Sequence, residues 1–183
     1  MFLSKISYYA DFVVFPLLLL LLGAGLWGGT RHQELVWAAA CAAGMAGYSL
    51  LEYCLHRFVL HHVPPFRRMH DLHHASPTAM VGTPTYYTAA FAATVFLTLY
   101  WTAGWYVAGG LTFGLVLGYL WYGLVHHAVH HWSARKGSYL YRLKRRHSQH
   151  HHVPQPCNFG VTTALWDRLL GTERRRPQAG KPA

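Results

Sequence analysis

Acidic residues are scarce in this chain: six Asp and Glu stand among 183 residues, against 16 Lys and Arg. None of the six lies in an E-x-x-H motif, which excludes the carboxylate-rich di-iron bundles built on it. Paired-carboxylate hydrolysis lacks material for the same reason. H-E-x-x-H and G-x-S-x-G are both absent, which removes thermolysin-like and serine-hydrolase chemistry. Cysteine is sparse too. Cys41, Cys54 and Cys157 form no C-x-x-C, so neither a disulfide framework nor a thiolate zinc site is indicated. Charge of either sign makes up only 12% of the chain against 52% apolar residues, and long stretches carry almost none. That is unlike a soluble globular protein.

What fills those stretches is membrane-span material. Residues 12–29 (FVVFPLLLLLLGAGLWGG) are long for a signal peptide and lack a clear A-x-A cleavage site, so they are expected to form a first span. Residues 35–55, 86–103 and 105–125 give three more, with Gly104, Gly109 and Gly110 marking a tight turn between the last two. Gly110, Gly114 and Gly118 share one face of the fourth span, and the Ala/Gly-rich second span is a natural partner for them. With four spans, all Lys and Arg except Arg31 fall on one side, which the positive-inside rule makes cytoplasmic. The formal charge of +10 therefore reads as a membrane-proximal basic face and not as a nucleic-acid site. The expected fold is all-α: one domain over residues 1–183, four transmembrane helices, and a cytosolic helical cap from segments 56–85 and 126–172.

Histidine is abundant where acid is not. Of 15 histidines, only His32 falls on the opposite side. His56 and His61 flank four residues, and His61 is expected just beyond the end of the second span. His70, His73 and His74 form H-x-x-H-H; His126 and His130 form H-x-x-x-H; His147, His150 and His151 form a second H-x-x-H-H. On a helix, positions i, i+3 and i+4 share a face, so each H-x-x-H-H aims three imidazoles into one volume. Neutral imidazole binds Zn, Cu, Fe and Ni well. Ten such groups exceed the needs of one ion and suit two.

These four groups, in this order, resemble the fatty acid hydroxylase superfamily of membrane non-haem di-iron enzymes. HRFVLH, MHDLHH, HHAVHH and RHSQHH match its histidine boxes, and NFGVTTALWDRLLGT is similar to the family's closing stretch. The resemblance covers about residues 52–172. It implies two Fe ions (Zn being able to substitute), O₂ as co-substrate, and a lipid C–H bond, a fatty acyl chain first, as the target of hydroxylation. It also implies an electron donor; with no haem-binding cytochrome b5 domain ahead of the first span, a separate cytochrome b5-like protein or a ferredoxin and reductase is expected. Carried over position by position, the ligands are His56, His61, His70, His73, His74, His126, His130, His147, His150 and His151. His127 and His131 offer a competing pair one residue along. Asn158 stands where the family often has glycine.

Glu52, one turn before His56, is expected to orient that ring or to reach Arg57. Asp71 and His127 are further candidates to support the ligands, and Asp167 to fix the tail. The basic run Arg174, Arg175 and Arg176 reads as solvated or facing anionic lipid. Trp121, Tyr122, Tyr119, Trp132, Tyr139 and Tyr141 read as an interfacial belt, with a lipid-channel lining open for Tyr119 and Tyr122. Sterol desaturation and carotenoid ring hydroxylation remain open alternatives of the same chemistry. A non-catalytic metal carrier or transporter is the alternative of another class, although transporters place their ligands near the bilayer midplane.

Overall fold

The computed structural model describes residues 2–174, so Arg175 and Arg176 lie outside the described residues. Its helices are α1 (Lys5–Tyr9), α2 (Asp11–Ala24), α3 (Arg31–Cys54), α4 (Phe66–Ala75), α5 (Thr85–Ala103), α6 (Trp105–His131), α7 (Tyr139–His152) and α8 (Leu165–Leu169). Among the described residues there is no strand, only one isolated bridge between Phe2 and Val81.

Among the described residues three stretches are long and apolar enough to cross a membrane: Lys5–Ala24, Arg31–Leu60 and Trp105–His131. The third expected span, α5, is 19 residues long, but its threonines and tyrosines hold its mean hydropathy below the others. The first expected span ends early, at Ala24, where Gly25 closes the last turn. The second begins at Arg31, because Thr30 and Gln33 form a capping box there. The last runs past Val125 to His131 and carries His126 and His130 on its final turns.

Close backbone approach organises the bundle. A Cβ on Gly110 would run into the carbonyl oxygen of Trp37, one on Gly114 into that of Cys41, and one on Gly44 into that of Leu111. Gly118 lies under the Tyr48 side chain. The small-residue faces of α3 and α6 therefore meet directly, as their spacing predicts. α2 and α5 pack along α6, and Phe15, Ala92 and Val116 meet between them.

The helix of α3 does not stop at Cys54. It continues through Leu60 as a π-helical segment. In an α-helix residues five apart point about 140° from one another. The i→i+5 bonding of a π-helix brings them nearly over each other. His56 and His61 accordingly stack, with ring centroids 5.3 Å apart and planes inclined by 22°. The expectation that the helix ends near His56 is corrected by this extra turn.

Candidate metal centre

Four chain segments deliver imidazoles to one region. The π-helical turn supplies His56 and His61, α4 supplies His70, His73 and His74, the end of α6 supplies His126 and His130, and α7 supplies His147, His150 and His151. In a first group, His56, His61, His70, His74 and His150 each offer a ring nitrogen, all within 4.8 Å of one another. In a second group, His73, His126, His130 and His147 do the same. His151 bridges the two: its Nε2 lies 3.1 Å from that of His147, and its ring stacks on His74 at 4.2 Å. All ten positions of the histidine boxes are thus brought together.

The contacts inside each group fit a cation. In the first, the Nε2 atoms of His56 and His70 are 3.0 Å apart, those of His61 and His150 3.2 Å, and those of His74 and His150 3.1 Å. In the second, His126 and His73 are 3.1 Å apart and His147 and His130 2.8 Å. Nitrogens held by one ion at about 2.1 Å stand about 3.0 Å apart at a right angle and about 3.4 Å apart at the tetrahedral angle. A neutral imidazole has a single N–H. Nδ1 of His56 donates to the Phe159 carbonyl at 2.5 Å, and Nδ1 of His150 donates to that of Cys157 at 2.9 Å. Their Nε2 atoms then present lone pairs to further Nε2 atoms. A positive ion between them removes that repulsion; protons can relieve only part of it.

Electrostatics keeps these rings in the ligating form. Burial, reinforced by neighbouring imidazoles, lowers His61 to about 4, His73 to about 3, His150 to about 3 and His151 to about 2. His70, His74 and His147 are lowered by burial as well. At neutral pH the rings are uncharged, so metal need not displace protons.

The tail segment 157–172 is what holds the first group in place. Glu52 does not reach His56 or Arg57, as the sequence suggests; it turns both oxygens to this loop. Its Oε1 accepts from the backbone of Val161 at 2.6 Å and of Thr162 at 3.0 Å, and its Oε2 from the Thr162 hydroxyl at 2.5 Å. Asp167, fully buried, accepts from the backbone N–H groups of Phe159 and Gly160, from the Thr172 hydroxyl, and from Arg146. The same loop carries the carbonyls of Phe159 and Cys157 that receive His56 and His150. Asn158 adopts φ 54°, a left-handed conformation that Asn tolerates and glycine adopts freely, which accounts for the exchange at this position. Its side chain donates to Gln149 Oε1 and accepts from the backbone of Arg174. The carbonyls of Phe159 and Cys157 carry no side-chain signature, so sequence reasoning missed them.

Other candidates lie apart from the two histidine groups. Asp71 is exposed and pairs with Arg67 at 3.6 Å. His127 points to the other side of α6, where it contacts the Tyr8 hydroxyl at 3.1 Å and stacks on His131. The competing pair His127 and His131 therefore stays outside both groups. Tyr122, by contrast, stacks on His126 with planes 9° apart.

Below the imidazoles opens a mostly apolar cavity of about 540 Å³. His56, His70, His73, His126 and His130 line its head, and Thr112 and Leu115 lie along its wall. From His126 to Thr112 the axis of α6 advances about 21 Å.

An all-helical protein with long apolar spans and a polyhistidine site able to hold metal defines a class of membrane proteins. Within that class, the chain belongs to the fatty acid hydroxylase family, whose model matches residues 41–172. It is 36% identical to fatty acid 2-hydroxylase of Rattus norvegicus over 156 residues, covering 76% of this chain and 40% of that protein. It is 33% identical to ceramide very long chain fatty acid hydroxylase of Saccharomyces cerevisiae, covering 70% of this chain and 36% of that one. The chain thus spans about two fifths of the length of these relatives. Its fold matches a structure of full-length Scs7p in which only the hydroxylase domain is visible, with a TM-score of 0.76 and 22% identity over 92% of this chain and 67% of that one.

Proposed function

We propose that this protein is an iron- and O₂-dependent lipid hydroxylase acting on a fatty acyl chain at the membrane face. The observation that carries this reading is two mutually facing sets of neutral imidazoles at the head of an apolar cavity. Two iron ions held there would supply the O₂ chemistry needed to cleave an unactivated C–H bond, which no side-chain acid or base can do. His56, His61, His70, His74 and His150 would hold one ion, His73, His126, His130 and His147 the other, with His151 reaching between them.

The chain's own residues do the rest. The cavity takes an extended acyl chain and excludes water from it. The tail loop, held by Glu52 and Asp167, keeps the His56 and His150 rings oriented through the carbonyls of Phe159 and Cys157. Inserting one oxygen atom also requires two electrons and two protons, with water as second product, so a cytochrome b5-like carrier or a ferredoxin and reductase is proposed as donor. In the membrane, α5 acts as a fourth span beside α6. The histidine groups then face the cytoplasm with α4, α7 and the tail loop as a cap, and the chain forms one domain.

The test incubates purified, iron-loaded protein with acyl lipid, a reductase system and ¹⁸O₂. Labelled hydroxy-acyl product is expected, and none with His150→Ala; unlabelled lipid from an iron-replete sample would overturn the reading.

A further inference from the structure

Halfway down the cavity the wall turns polar. Asp11, at the start of α2, receives a hydrogen bond on Oδ2 from the Tyr119 hydroxyl of α6. Its Oδ1 is buried and has no partner among the described residues. Thr88, on α5, sets its buried hydroxyl beside that of Tyr119, whose oxygen can accept from it, and among the described residues the buried Thr112 hydroxyl on α6 has no partner. All four residues line the cavity.

Ordinary structural roles do not account for this cluster. Helical threonines commonly donate to the carbonyl one turn back. Thr94 and Thr102, on the exposed side of α5, do so at 2.9 and 2.8 Å, whereas Thr88 in the same helix does not. Asp11 does not cap α2: the backbone N–H groups of Val13 and Val14 bond to the Ala10 carbonyl, and the N-terminal residue makes no side-chain cap. Among the described residues no Lys or Arg pairs with it. A carboxyl group within an apolar span is costly and marks a site that needs it. It also lies outside residues 41–172, so it is no part of the family pattern.

We propose that Asp11, Tyr119 and Thr88 form a recognition station for an O–H or N–H donor carried by the bound lipid. The proposal rests on the cavity being the lipid site. Tyr119 gives its single proton to Asp11 Oδ2, so the group missing from Oδ1 is a donor. A free carboxylate brings only acceptors and is unsuited to this position. Tyr119 precedes His126 by seven residues, an advance of about 10 Å along α6. An extended chain covers that distance in about nine bonds. The donor thus sits well away from the carbon at the histidines. It can belong to a hydroxyl on the acyl tail or to the amide and hydroxyl of a head group laid alongside.

The test is a displacement assay on the metal-loaded full chain in detergent micelles, using a fluorescent polyene fatty acid methyl ester as reporter. Competitors are methyl stearate, which has no donor, methyl 12-hydroxystearate, which has one on the tail, and N-stearoyl ethanolamine, which has them at the head. At least one donor-bearing lipid is expected to bind about tenfold more tightly than methyl stearate, the effect of a hydrogen bond to a charged group. Whichever it is identifies the source. Asp11→Leu should abolish that preference and Thr88→Val reduce it, while methyl stearate affinity stays within about twofold. Equal affinity for all three lipids in the unmodified protein overturns the proposal, as does a preference that survives both substitutions. If Asp11→Leu fails to fold, Thr88→Val decides alone. The assay needs no turnover, so its failure is distinct from a failure of the labelled-oxygen experiment.

Discussion

The two histidine groups are built from the same side chain and held by different means. In the first, His56 and His150 are fixed from behind by backbone carbonyls of the tail loop. In the second, the buried Nδ1 of His147 has no partner among the described residues, and the same holds for the bridging His151. His126 is instead steadied by the Tyr122 ring, and His130 follows on the next turn of a rigid span. The first group thus depends on a loop closed behind it, whereas His126 and His130 of the second depend on the packing of α6. Orientation of a ligand ring can be supplied by a hydrogen bond or by steric confinement, and this protein uses each once.

Several substitutions separate the two mechanisms. Asp167→Ala should be the most damaging, because it releases the loop, leaves the buried N–H groups of Phe159 and Gly160 without an acceptor, and leaves Arg146 paired with the more exposed Glu173 alone. A loss of about 3–5 kcal/mol in stability is expected. Metal content per chain, by mass spectrometry, should fall chiefly through the first group. Gly114→Ala acts on both groups at once, since its new methyl meets the Cys41 carbonyl and pushes α3 from α6. Overpacking of this kind costs about 1–3 kcal/mol, read as a lower thermal midpoint. Glu52→Ala sharpens the contrast further: it removes the acceptor of the backbone N–H groups of Val161 and Thr162 and of the Thr162 hydroxyl. Affinity for the first ion should drop about 10–100-fold, with the second unchanged in a two-site titration.

Acidification probes both groups together. Because the folded pKa values of His61, His73, His150 and His151 lie at about 4, 3, 3 and 2, the unfolded chain binds more protons than the folded one from about pH 6.5 down to those values. Stability of the metal-free protein should therefore be full above that range and decline as pH falls from 7 to 4, measured by thermal unfolding at each pH. The smallest effect is expected for His127→Ala, which faces Tyr8 on the far side of α6 and should leave both metal sites filled.

Much of this arrangement is legible in the chain. The i, i+3, i+4 spacing of the two H-x-x-H-H motifs and the glycines at every fourth position of α6 carry their geometry in their periodicity. What escaped is what depends on long loops and on backbone. Glu52 sits one turn from His56, and that proximity misdirects, since its partners are more than 100 residues away. The five-residue interval between His56 and His61 fits no α-helical face, which was itself the trace of the π turn. The Asp11–Tyr119 contact joins positions 108 residues apart, and neither residue belongs to a motif.

α4 buries only two of its residues, His70 and His73. A helix with no fully buried apolar side chain has little of the hydrophobic driving force that docks its neighbours. On the proposed di-iron reading its seat on the bundle is set by coordination chemistry: removing the ions would loosen this helix from the cavity that its Phe66 and Met69 help to line, and reloading would seat it again.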